Sequence, residues 1–129
     1  MAIRDIKVVL RALAEARDSS FHHLWVDLGH RWSKSRPRIG FRIYQVADSD
    51  DVLVVLSVGG TDDQSTEWSW VTSVRTNGDR LEIEGSVSAD PLEGDQLNTF
   101  ERSASAADAD DAARLVRELA VEVCSHRAG

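Results

Sequence analysis

At 129 residues the chain has room for one domain with a respectable core, and 42% apolar with 29% charged residues is a composition neither disordered nor fibrous. A formal charge of −7 and a pI near 5.0 repel polyphosphate, which argues against general nucleic-acid binding but leaves room for a local basic site. A single cysteine, Cys124, permits no internal disulfide. No apolar run is long enough to cross a membrane and the N-terminal stretch lacks a signal-peptide layout, so a cytoplasmic location is expected.

Ile3, Ile6, Leu10, Leu13 and Ala14 recur at spacings of three and four while Arg4, Asp5, Lys7, Arg11 and Arg17 fall elsewhere, which predicts an amphipathic helix over residues 3–17. Asp18-Ser19-Ser20 offers a cluster of N-cap residues, after which Phe21, Leu24, Trp25, Leu28 and Trp32 share one face of a second, short helix. A strand competes for residues 21–32, because Leu24, Val26 and Leu28 alternate and Gly29 is a poor interior helix residue. Residues 33–38 read as a loop, with Pro37 pushing Arg36 into an extended conformation. Alternation of Ile39, Phe41 and Ile43 with Gly40, Arg42 and Tyr44 then predicts a strand over 39–47, and the aspartates and serine of 48–51 a turn. Residues 52–58, VLVVLSV, are apolar on both alternating sets, the mark of an inner strand, and 59–65 form a connection.

The stretch 68–87, WSWVTSVRTNGDRLEIEGSV, is the strongest local signal. Asn77-Gly78 suits the positive φ angles of a type I′ two-residue turn, which would set Val74 against Leu81, Thr72 against Ile83, Trp70 against Gly85 and Trp68 against Val87. Those side chains fall on one face and Ser69, Ser73, Arg75, Glu82, Glu84 and Ser86 on the other, with Val71 the apolar exception. The indole of Trp70 would then cover the bare backbone of Gly85. A loop over 91–96 leads to an edge strand over 97–104, and the aspartate-rich residues 106–111 open a final helix whose stripe is Ala112, Leu115, Val116, Leu119 and Val123. His126 and Arg127 sit at its C-terminus.

Strands in a run, bracketed by helices, indicate an α+β domain over 1–129: an antiparallel meander sheet of four to five strands, with the N-terminal helix or helices and a long C-terminal helix packed on one face.

No motif in the sequence specifies a reaction. There is no G-x-S-x-G elbow, Gly59-Gly60 lacks the Lys-Ser/Thr of a phosphate loop, and Cys124 and His126 are two apart on different sides of a helix. Asp48 with Asp50, and Asp108 with Asp110, open like calcium loops, but the twelfth positions are Gly59 and Leu119 where a glutamate is needed. On a helix, His23, Asp27 and His30 share a side and form the one weak metal candidate, although an exposed helix face is polar anyway. Arg31, Lys34, Arg36 and Arg38 concentrate positive charge around Trp32, a weak site for an anion or an acidic partner.

The informative anomaly is the second face of the sheet. Arg42, Tyr44, Val46, Leu53, Val55 and Val71 would project away from the helices, and an apolar patch on an open sheet usually marks a contact surface. The layout, an acidic chain with an antiparallel sheet flanked by helices, is similar in architecture to type III secretion chaperones and toxin-neutralising immunity proteins. Arginine outnumbers lysine 13 to 2, a bias that GC-rich codons produce, and a bacterial source is the compositional expectation. The functional expectation is a non-enzymatic interaction module that binds a protein partner or dimerises, without cofactor, nucleic acid or membrane. The alternative is a small-ligand binder or enzyme with a pocket between helices and sheet lined by Trp25, Trp32, Phe41, Trp68 and Trp70.

Overall fold

The computed structural model describes residues 3–31 and 36–126, with the backbone alone for 3–5. Helix α1 (Ile3–Ala16) runs through a π-helical turn (Arg17–Phe21) into α2 (His22–Arg31); strands β1 (Arg38–Gln45), β2 (Val52–Thr61), β3 (Glu67–Asn77), β4 (Arg80–Asp90) and β5 (Leu97–Ala106) follow, and α3 (Ala109–Ser125) closes the order. The strands pair antiparallel in the sequential order β1-β2-β3-β4-β5, so the chain is an α+β protein with a five-stranded meander. Among the described residues, no helix is long and apolar enough to cross a membrane.

Residues 21–31 are helical, and the two expected N-terminal helices are one continuous helical run. Asp18-Ser19-Ser20 does not break it: the Ser19 hydroxyl donates to the Glu15 carbonyl at 2.7 Å, and the His22 N–H bonds back to the Arg17 carbonyl, five residues earlier. A serine that satisfies a carbonyl of the preceding turn removes the reason for the chain to leave the helix, and the extra residue is absorbed as a π turn. Val9, Ala12, Leu13 and Ala16 before that turn and Phe21, Leu24 and Leu28 after it are buried in the same core cluster. Helix α3 begins as its sequence demands, with the Asp108 carboxylate accepting from the Asp111 N–H at 2.8 Å; such a cap is worth about 1 kcal/mol.

The strand reversal falls where Asn77-Gly78 places it, but one residue later than a type I′ turn requires. Asn77 pairs with Arg80, leaving Gly78 and Asp79 as the loop, and only Gly78, at φ 61°, has a positive φ. That is the signature of a type II′ turn, which needs glycine at its first central position. The Asn77 side chain is occupied elsewhere, donating to Glu82 Oε1 at 3.0 Å. The register therefore differs from expectation by two residues: Val74 faces Ile83, Thr72 faces Gly85, Trp70 faces Val87 and Trp68 faces Ala89. A slip of two preserves which side chains share a face, so Trp70, Thr72, Val74, Leu81, Ile83 and Val87 are all buried on the helix side.

Gly85 is covered by a helix and not by an indole. A Cβ built there would lie 2.7 Å from both Leu119 Cγ and Val123 Cγ2, so α3 rests directly on the β4 backbone. Trp70 locks the far end of the same helix, its Nε1–H donating to the His126 carbonyl at 2.6 Å while Phe100 packs 4.2 Å from the His126 ring. Opposite Gly85, the Thr72 hydroxyl is buried without a hydrogen-bond partner among the described residues.

Two consequences are measurable by chemical denaturation. Gly85→Ala pushes a methyl into Leu119 and Val123, and overpacking of this kind costs roughly 1–3 kcal/mol. Thr72→Val keeps the shape and removes the orphaned hydroxyl, which is expected to stabilise the fold by about 1 kcal/mol.

Candidate functional site

Strand β1 is built on alternation. Ile39, Phe41 and Ile43 stand opposite Val58, Leu56 and Val54 on the helix side, whereas Arg38, Gly40, Arg42 and Tyr44 stand opposite Gly59, Ser57, Val55 and Leu53 on the open side. The pairing continues across the sheet: Leu53 faces Arg75, Val55 faces Ser73 and Ser57 faces Val71. The result is a contiguous apolar group, Tyr44, Leu53, Val55 and Val71, on the side away from α3. Tyr44 is 46% exposed, and the other three are half-buried only by their neighbours on the sheet.

Charge divides the same face. Its β1 side carries Arg38 and Arg42, while its β4–β5 side carries Glu82, Glu84 and Glu101 among Ser86, Ser88, Ser103 and Ser105, with Arg75 opposite Glu82 and Arg80 bonded to Ser105. Neither Arg38 nor Arg42 makes an ion pair or side-chain hydrogen bond among the described residues. Between the two arginines the surface sinks into a depression of about 530 Å³, floored by Gly40, Ser57, Gly59 and Ser69 and rimmed by Arg38, Arg42, Tyr44 and Val55. A second hollow of about 250 Å³ continues from it along Gly59, Gly60, Trp68 and Asp90. Small side chains on three neighbouring strands leave the trough, and long ones at its margin deepen it.

Residues of the partner patch come together: Arg42, Tyr44, Leu53, Val55 and Val71 share the open face. Val46 lies just beyond β1, in the turn to β2, where its N–H bonds the Asp51 carbonyl at 2.9 Å. The basic group disperses. Arg31 pairs with Asp27 at 3.5 Å on α2, Arg36 is exposed before β1, Arg38 joins the open face, and Lys34 lies outside the described residues.

His23, Asp27 and His30 do follow one another along α2, but Asp27 is engaged by Arg31, and no three side chains among the described residues converge to hold a metal ion. The described aromatic residues of the expected pocket are spread over the helix side and the sheet margin. Trp70 is fully buried, and Trp68 stacks on it at 5.9 Å with its Nε1–H on Asp62 Oδ2. Trp25 donates to the Pro37 carbonyl at 2.8 Å and stacks on His22, and Phe41 lies half-buried under the Arg17 guanidinium. Trp32 lies outside the described residues.

The trough itself was not legible beforehand. Gly40, Ser57, Gly59 and Ser69 become neighbours only through the β1–β2–β3 register, and the turn at 46–51 carries no two-residue signature from which that register could be read. Comparison with protein-family models, curated proteins and solved structures gives no significant match.

Because Arg38 and Arg42 hold no partner among the described residues, Arg38→Ala and Arg42→Ala should each leave unfolding stability within about 0.5 kcal/mol of the parent. A larger loss in urea denaturation would show that they support the fold itself.

Proposed function

We propose that this chain is a non-enzymatic protein-binding module that docks a partner, or a second copy of itself, on the open face of its sheet. The observation that carries the reading is the one-sided arrangement of the core: the helices seal one face, while Tyr44, Leu53, Val55 and Val71 lie together on the other beside the trough. A contiguous apolar group on an otherwise polar sheet is retained against the pressure to keep surfaces soluble when something covers it. With strands about 4.8 Å apart and about 3.3 Å of rise per residue, the face spans roughly 600 Å², close to one side of a standard protein interface. An apolar centre between a basic and an acidic margin also matches the usual anatomy of such contacts, in which the centre contributes affinity and the charges set orientation. The comparison with chaperone-like and immunity-like proteins rests on this architecture alone.

The module reading is tested by Leu53→Glu and Val55→Glu. Both positions are half-buried on the open face, so the expected outcome is loss of the dimer in sedimentation velocity, or of the co-purifying partner, with the unfolding transition little changed. A complex that survives both substitutions would remove the open face from the interface.

A further inference from the structure

Strand β1 ends the sheet, so among the described residues its outer row of N–H and C=O groups has no strand beside it. Natural proteins blunt such edges with bulges, charge or cover, because an open edge pairs with any strand that reaches it. The opposite margin is blunted in this way: β5 carries a register shift against Val87/Ser88, and its side chains are largely polar. Among the described residues, the β1 margin shows no such break. It pairs with β2 without a break over its eight residues, and it presents Ile39 at 37%, Ile43 at 57% and Tyr44 at 46% exposure. Its two arginines occupy open-face positions of the strand.

The two faces of β1 differ in kind. Arg38 and Arg42 are about 13 Å apart along the strand, at roughly 3.3 Å per residue, and neither holds an acid among the described residues. Ile39 and Ile43 have the same spacing on the helix side. In a chain of net charge −7, residues 28–47 contain five cations and no aspartate or glutamate.

We infer that β1 is a receptor strand: its outer edge takes up an extended segment of an acidic partner protein as a sixth strand, with carboxylates opposite Arg38 and Arg42 and apolar side chains opposite Ile39 and Ile43. Main-chain hydrogen bonds supply the binding common to all strand additions, and the alternating side chains supply the selectivity. A second copy of β1 fits poorly. Any antiparallel self-pairing that overlaps most of the strand gathers four arginines on neighbouring positions of one face with no acid between them, and like charges across strands destabilise a pair. An acidic segment reverses the sign of that interaction.

The inference rests on the reading of the chain as a protein-binding module and places a contact at the margin of the open face. Two synthetic peptides of the length of β1 test it, one alternating valine with glutamate and one alternating valine with lysine. The glutamate peptide is expected to bind about tenfold more tightly, to weaken as salt is raised, and to slow amide hydrogen exchange within residues 38–45. Arg38→Glu combined with Arg42→Glu should invert the preference, a readout that requires a folded protein and cannot come from a damaged one. Equal binding of the two peptides, no binding of either, or slowed exchange confined to β5 would overturn the inference. So would a natural complex that Leu53→Glu abolishes while β1 exchange is the same in bound and free protein; in that case the open-face reading survives without the edge.

Discussion

The close approach of α3 to the β4 backbone is the contact on which the rest of this structure turns. Gly85 has no side chain, so Leu119 and Val123 occupy the space where a Cβ would sit, and the C-terminal helix lies flat on the centre of the sheet. Trp70 then ties the end of that helix down through the His126 carbonyl. Helix α1 packs along α3, with Arg117 reaching Glu15 at 3.3 Å, and the π turn carries the chain on so that α2 reaches β1 and β2. One helix seated on one glycine thus seals the face that strand alternation makes apolar and leaves the other to water.

That one-sidedness explains the character of the open face. A sheet covered on both sides would read as continuous apolar strands, and β2 alone comes close, with Val52, Leu53, Val54, Val55 and Leu56 in succession. On β3 to β5 the outward positions are mostly serines and charged residues, with Val71 the apolar exception. The apolar positions of the open face therefore concentrate on β1 to β3, next to Arg38 and Arg42. Affinity and selectivity can come from the same corner of the molecule, the first from buried apolar area and the second from charge.

The core of the sheet is not fully satisfied either. Thr72 stands opposite Gly85 beneath α3, and its hydroxyl has no partner among the described residues. A threonine in a central strand is well suited to the pleat, but at this position its oxygen is desolvated without return. The surface ion pairs do little to offset such a cost. Arg114 with Asp111 and Glu118, and Arg102 with Glu122, are exposed and solvent-screened, although the two carboxylates beside the Arg114 guanidinium do raise its pKa through their hydrogen bonds.

What the amino-acid order determined by itself was local and periodic. The stripe Ala112, Val116, Leu119, Val123 specified α3, the alternation around Asn77-Gly78 specified the central hairpin and its two faces, and together they were enough for the α+β class, because side-chain period and turn chemistry act over a few residues. The polar triplet at 18–20 misled, since a serine hydroxyl can cap a new helix or satisfy the old one, and only the packing of Phe21, Leu24 and Leu28 into the common core decides between them. The exact hairpin register, the cover over Gly85 and the trough between Arg38 and Arg42 belong to the tertiary structure. Each depends on groups brought together from distant parts of the chain, Gly85 with Leu119 and Gly40 with Ser57 and Ser69, and no short-range pattern can encode a neighbour supplied by another strand or helix.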